Sequence, residues 1–502
     1  GVMASNQWVA IENEDAGDDN EPEHYWYYFQ ANGKALTNGD NSNIALKTIN
    51  GKKYAFDEEG KMLYGWVAED NAERIDNTDG DGFKEGDYYF GGEDDGAMTT
   101  GWLQMDITYD EATNDYEIAP VFNEDEDQSR WFYFQSNGKK VKAKDGDVQK
   151  SKTINGKKYE FDQYGAMTAE WSLDVEKASK DGVRSGNSSS STNSVAAQYA
   201  KEWRYFNSVE DGARVSRGWF KVVAAEYLNY DKYNDDEDAW YYADGSGNLY
   251  AGEFKTIKGK KYAFRNDGRM LSGLKFILEN DNDLLVKADD DGSYPFDNED
   301  DFLANAANYY EGNGYKCYYF GDGEDGAMRT GKLSVSIDGE NQNFYFQKSG
   351  GKKGAGLTGE KDDKLYQSGM LLKAGSDEKY QVVKKEEKTK IGSTDTYTTY
   401  VKLDDAKAFM EDVVNEGGSV SSNLVNGVAD EADVAIGNGA TKKAKDLTES
   451  YSITLPTGGN VEYILVNTSG KIIDKKGKSK DGNDYNYVTD TNGTIKHLYV
   501  ED

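Results

Sequence analysis

Nine tryptophans carry most of the ligand chemistry in this sequence: Trp8, Trp26, Trp66, Trp102, Trp131, Trp171, Trp203, Trp219 and Trp240. An indole face attracts a cation through its quadrupole and stacks on the apolar face of a sugar ring. Groups for covalent or proton-transfer chemistry are scarce by comparison. The single cysteine, Cys317, allows no intrachain disulfide and no cysteine-based zinc site. Ser/His/Asp or Cys/His catalysis would need His24 or His497, the only two histidines, at opposite ends of the chain. Carboxylates are abundant, but no motif singles out the pair that a hydrolase needs. The sequence therefore reads as a binding chain and not as an enzyme.

The tryptophans are placed by rule. Trp26, Trp131, Trp203 and Trp240 open aromatic runs; Trp8, Trp66, Trp102, Trp171 and Trp219 close others. Methionines follow a Gly-x-Met rule, as at Met98 and Met167. Three strings share one template: TINGKKYAFDEEGKM at 48–62, TINGKKYEFDQYGAM at 153–167 and TIKGKKYAFRNDGRM at 256–270. A second type reads WYYFQANGK at 26–34, WFYFQSNGK at 131–139 and NFYFQKSGG at 343–351. A third reads YYFGGEDDGAMTTGW at 88–102 and YYFGDGEDGAMRTGK at 318–332. The templates recur at 48, 153 and 256, which is 105 and then 103 residues apart. This nested periodicity is the mark of a repeat architecture.

Each unit has the chemistry of a hairpin. Asn50-Gly51 suits a type I′ turn, which needs positive φ at both central residues. Tyr54 and Phe56 then share one face of the following strand. One hairpin is marginal in water, so the units are expected to stack and bury their aromatic rows against one another. Phe56, Phe161 and Phe264 hold one slot in three units and are expected in the core. The fold class is all-β: a solenoid of short β-hairpins in three-hairpin super-repeats, with a β-rich or α+β end region.

The composition agrees. The chain has 502 residues, 55 glycines, only 4 prolines and 13% aromatics. Its net charge of −34 excludes nucleic-acid binding and argues against docking on an anionic bilayer. No apolar run approaches the ~18 residues of a membrane span, so no membrane insertion is expected.

The template TINGKKYAFDEEGKM followed by Gly65-Trp66 closely resembles the cell-wall-binding repeats of choline-binding proteins, glucan-binding proteins and the receptor-binding repeats of large clostridial toxins. The resemblance covers residues 1–371. It implies a β-hairpin solenoid that binds teichoic-acid choline, glucan or host glycan. It also implies cages built from a closing Trp, an adjacent opening aromatic and a nearby Met. By position the pairs are Trp8 with Trp26, Trp102 with Trp131, Trp171 with Trp203 and Trp219 with Trp240; Trp66, Met98 and Met167 are further candidates. The implied setting is a secreted or wall-attached Gram-positive protein, with no cofactor. The competing reading is a stalk whose repeats only space other domains.

The expected division is 1–24, the end of a preceding repeat; super-repeats 25–130, 131–239 and 240–342; a degenerate fourth at 343–372; and a capping region or small domain at 373–502. Because the chain starts inside a repeat, sequence is expected to continue upstream, with a secretion signal. Leu274, Lys332 and Phe344 stand where Trp is expected, so ligand sites should fade toward the C-terminus. The links 67–87, 103–130 and 275–314 are acidic and read as solvated loops. Within the first, Asn77, Asp79 and Asp81 fit the opening of an EF-type calcium loop, although its twelfth position is Tyr88. Asp289-Asp290-Asp291-Gly292 is a shorter acidic match, and the serine-rich stretch 185–191 reads as a flexible loop. In the end region, 404–414 reads as an amphipathic helix, with strands at 461–466 and 484–488.

Overall fold

A computed structural model describes residues 1–18, 21–108, 127–145, 147, 149–173, 194–279, 285–288, 296–425 and 427–502. The acidic match at 289–292 and the serine stretch at 185–191 lie outside them. The described chain is mostly strand, arranged in small antiparallel sheets, the majority of them two-stranded. It forms two compact units: one built on Gly1–Ser188, Val195–Ala251 and Asp267–Arg269, the other on Gly252–Asn266 and Met270–Asp502.

The short turns form as their residues dictate. Lys47–Ile49 pairs with Lys52–Tyr54, and both Asn50 and Gly51 between them have positive φ, 49° and 81°. Asn155-Gly156 repeats this, and Lys258-Gly259 does so with lysine in the left-handed position. Phe56, Phe161 and Phe264 are each fully buried, as their shared slot requires.

The longer pairings depart from the expected unit. An aromatic opening strand meets the chain beyond its own glycine turn through a single bridge, Phe29 with Ala35 and Phe134 with Lys140. Its full ladder runs backward, to the preceding closing strand across the long link. Gln7–Glu12 pairs with His24–Phe29, Gly101–Thr108 with Asp127–Phe134, Glu170–Leu173 with Trp203–Phe206, and Gly218–Val223 with Asp238–Ala243. The links are hairpin loops rather than connections between units. Nor are they wholly solvated. The short helix Gly82–Glu85 buries Phe83, and Glu299–Asn305 buries Phe302 and Leu303. A loop that carries one large apolar residue can plug the end of a hairpin core, and that burial offsets its closure entropy.

Successive hairpins interlock through glycine and methionine. A Cβ on Gly96 would lie 2.3 Å from Met62 Sδ; on Gly138, 2.2 Å from Met98 Sδ; on Gly212, 2.3 Å from Met167 Sδ. In the second unit, Gly326 and Gly354 bear the same relation to Met270 and Met328. The Gly-x-Met rule is therefore a contact between neighbours. The methionine of one turn lies over the glycine of the next, and only glycine leaves room. The backbone ties the same methionines to the preceding hairpin: the N–H groups of Met62 and Met167 donate to the carbonyls of Trp26 and Trp131, each at 2.8 Å.

Residues 373–502 are α+β. A helix at Ala406–Asn415 buries Ala406, Phe409 and Val413, and the Asp405 side chain caps it by accepting from the Ala408 N–H at 2.8 Å. Strands run at Val461–Asn467 and Tyr485–Thr489. Within the second unit this region shares a core with the last repeat: Val383, Tyr400 and Val466 pack in one cluster with Phe344, Leu365 and Met370.

Candidate ligand-binding clusters

Strand register builds one aromatic cluster per long hairpin. Trp8 faces Tyr28 across the ladder, and Ala10 faces Trp26, so Trp8 and Trp26 are diagonal neighbours on one face. The same register sets Trp102 against Tyr133 with Trp131 on the diagonal, Trp171 against Tyr205 with Trp203, and Trp219 against Tyr242 with Trp240. Three of the pairs meet edge to face, with centroids at 6.3 Å for Trp102–Trp131, 6.0 Å for Trp171–Trp203 and 6.3 Å for Trp219–Trp240. The next hairpin supplies further walls. Tyr54 and Phe56 lie 4.9 and 5.8 Å from Trp8; Tyr159 and Phe161 lie 4.9 and 5.8 Å from Trp102. Met62 joins the first of these clusters and Met167 the second. Met98 packs with Tyr88 and Phe90 in a separate cluster.

Exposure separates the clusters. Trp8, Trp26, Trp102, Trp131, Trp219 and Trp240 are half-buried, which leaves aromatic edges in solvent. Trp66, Trp171 and Trp203 are 3%, 9% and 0% exposed. Trp171 is held inside the fold: its Nε1 donates to the Val223 carbonyl at 2.8 Å. These three are core side chains as they stand.

Two half-buried clusters carry a carboxylate on their rim. Trp26 Nε1 donates to Asp94 at 2.9 Å, and His24 Nε2 lies 3.0 Å from the same oxygen. The indole N–H holds the Asp94 carboxyl below the usual carboxylate range, and His24 acts in the same direction. Trp131 Nε1 donates to Glu210 at 3.4 Å, and Gln104 reaches the same carboxylate. Asp94 stands two residues before Gly96, and Glu210 two before Gly212. An acid thus stands two residues before the methionine-facing glycine in both turns, legible in the sequence only once the two turns are aligned.

The Trp66 cluster is organised differently. Trp66 faces Tyr89, and Asp87 occupies the place two residues earlier where the other hairpins carry an opening Trp. Lys140 stands where Met62 and Met167 stand in their hairpins: its N–H donates to the Asp87 carbonyl at 2.8 Å. Its ammonium lies 5.1 Å from the Trp66 ring centroid and 5.8 Å from that of Phe132, and it donates to the Phe83 carbonyl. Burial lowers the Lys140 pKa to about 7.

In the fourth repeat the opening position is Asn343, not Phe344. Lys332 pairs with Tyr345 and Ser334 with Asn343, and Phe344 points into the core. A one-residue shift along a strand changes the face, so Phe344 does not occupy the ligand side.

At the EF-like loop, the Asn77 side-chain oxygen accepts from the Gly82 N–H at 2.7 Å, and Asp81 pairs with Lys84 at 3.6 Å. Among the described residues no group of three or more His, Cys, Asp or Glu side chains is arranged to hold a metal ion. No helix among them is long and apolar enough to cross a membrane.

No protein-family model matches the chain. A glucosyltransferase-S of Streptococcus mutans is 23% identical over 273 residues, which is 54% of this chain and 12% of that protein. Among solved structures, the modular autolysin LytC of Streptococcus pneumoniae matches at 17% identity and a TM-score of 0.30, over 74% of this chain and 54% of LytC. Choline-binding protein F of the same organism matches at 16% identity and a TM-score of 0.23, over 74% of this chain and 86% of that one. The chain thus spans about an eighth of the glucosyltransferase and about half of LytC. Its repeats are similar to cell-wall-binding repeats of the choline-binding and glucan-binding kind.

Proposed function

We propose that the hairpins stack as a β-hairpin solenoid, and that the half-buried clusters at Trp8/Trp26, Trp102/Trp131 and Trp219/Trp240 are clefts that hold a repetitive wall polymer. The chain acts without catalysis, as a binding module of a secreted or surface-attached Gram-positive protein. One observation carries the reading: the half-exposed indoles of Trp26 and Trp131 are held by the carboxylates of Asp94 and Glu210 on the rims of two of these clusters. An aromatic face with a carboxylate on its rim has the electrostatics to accept a cation. A quaternary ammonium such as choline fits better than an uncharged glucan or host glycan, because stacking on sugar makes no use of those carboxylates. Each exposed cation–π contact supplies only ~0.5–1 kcal/mol, so retention rests on several clefts engaging one polymer at once.

The stalk reading accounts for Trp66, Trp171 and Trp203, which are core. It does not account for half-exposed indoles whose N–H groups are fixed on solvent-facing carboxylates. The test is retention of the full chain on choline-bearing wall polymer, with elution by free choline. Elution by choline but not by soluble glucan supports the assignment; retention indifferent to choline refutes it.

A further inference from the structure

The fourth repeat keeps the geometry of a cleft and inverts its chemistry. Lys332 faces Tyr345 and Ser334 faces Asn343, the register that sets Trp8 against Tyr28 and Ala10 against Trp26. Lys332 therefore holds the closing-Trp position and Asn343 the opening one. Tyr366 follows the turn Asp362-Asp363 as Tyr54 follows Asn50-Gly51, and all four turn residues have positive φ. The sequence alone reads this replacement of tryptophan as the loss of a site, yet a cavity of about 520 Å³ remains there. Its walls include Lys332, Asn343, Lys364, Tyr366, Lys373 and Thr468, and no Asp or Glu lines it. Asp362, outside the lining, lies 3.8 Å from Lys332, with both side chains more than half exposed. Among the described residues no carboxylate lies within ion-pair distance of Lys364 or Lys373. In a chain of net charge −34, three lysines around one cavity reverse the local sign.

We propose that this cleft binds a phosphodiester group of a polyol chain. Lysine ammonium groups are compact point charges, each with three donors, and suit the tetrahedral oxygens of phosphate. The planar fork of arginine, which matches a carboxylate, is absent from the lining. The Asn343 amide and the Thr468 hydroxyl supply neutral partners for polyol hydroxyls, and Tyr366 gives the carbon backbone an apolar wall. The assignment stands apart from the aromatic clefts, because a polyol phosphate without quaternary ammonium tests it alone.

The experiment is calorimetric titration of the full chain with glycerol-phosphate oligomers, inorganic phosphate and uncharged dextran. The oligomer binds, and binds less well as salt rises; dextran does not. The double variant Lys364→Gln/Lys373→Gln weakens oligomer binding about tenfold, whereas Lys476→Gln, an exposed lysine outside the cavity, changes it less than about twofold. Should the double variant fail to fold, Lys332→Gln, at an exposed side chain, gives the same reading with a smaller loss. Oligomer binding equal to that of dextran, or unaffected by these variants, overturns the proposal. Equal affinity for inorganic phosphate alone overturns the polymer assignment.

Discussion

The Lys140 ammonium lies 5.1 Å from the centre of the Trp66 ring, inside a hairpin whose neighbours place methionine at that slot. The contact has an energetic consequence. A buried ammonium is costly, and cation–π attraction and the Phe83 carbonyl offset only a fraction of the cost, so its folded pKa falls to about 7. Between pH 7 and the ordinary lysine range near 10.5, the unfolded chain binds a proton that the folded chain does not. Stability therefore rises with pH across that window, by up to ~1.4 kcal/mol per unit, and is lowest at pH 7 and below. Lys140→Met restores the methionine slot. Despite leaving the Phe83 carbonyl without this donor, it should stabilise the chain below pH 7 by about 1 kcal/mol or more. Denaturant unfolding at pH 6 and pH 9.5 checks this: the gain should shrink at the higher pH.

Gly212→Ala should destabilise its hairpin by ~2–4 kcal/mol. The new Cβ would lie 2.3 Å from Met167 Sδ, and the backbone there has a φ of 62°. The double variant Gly212→Ala/Met167→Ala should recover some of the steric loss but not the strain. Thermal melts of the three variants separate the two costs.

Phe56→Ala should cost ~3–5 kcal/mol, since the ring is fully buried. In stacked hairpins the loss should be local. Amide exchange is expected to quicken around 47–67 and to stay unchanged in the 406–415 helix. Uniform acceleration across the chain would contradict quasi-independent hairpins.

The sequence was most legible where structure is local. The Asn50-Gly51 turn and the amphipathic helix read at 404–414 each depend on residues a few positions apart, and the structure has the turn there and a helix at Ala406–Asn415. The pairing of Trp8 with Tyr28, or Trp102 with Tyr133, was not legible as a hairpin. Its partners are joined by long acidic loops, and its register is set by packing against the next repeat. The Trp pairs were visible from spacing, but their unequal burial was not. Nothing in the local sequence of Trp171 or Trp203 says that they sit deeper than Trp102 and Trp131. Lys140 and Asp94 were hidden because their roles appear only when non-identical repeats are superposed.

Asp94→Asn should lower the affinity for a small quaternary ammonium at the Trp8/Trp26 cluster by about two- to fivefold, because it removes a charge from an exposed site while keeping an acceptor for the Trp26 N–H. Raising the salt should narrow the gap between variant and wild type. Equal affinities at low salt would show that the rim carboxylate only positions the indole.

Trp131→Ala tests the central claim most directly. Trp131 is half-buried, stands on the diagonal from Trp102 and donates to Glu210. The measurement is a choline titration of the full chain followed by tryptophan fluorescence, beside the same titration of Trp131→Ala and of Lys140→Met. The expected result is a saturable change in the wild type, weakened by several-fold in Trp131→Ala with the near-ultraviolet dichroism of a folded chain, and undiminished in Lys140→Met. A wild-type chain whose fluorescence does not respond to choline, or a folded Trp131→Ala variant that responds as the wild type does, would contradict the assignment of these clusters as ligand clefts.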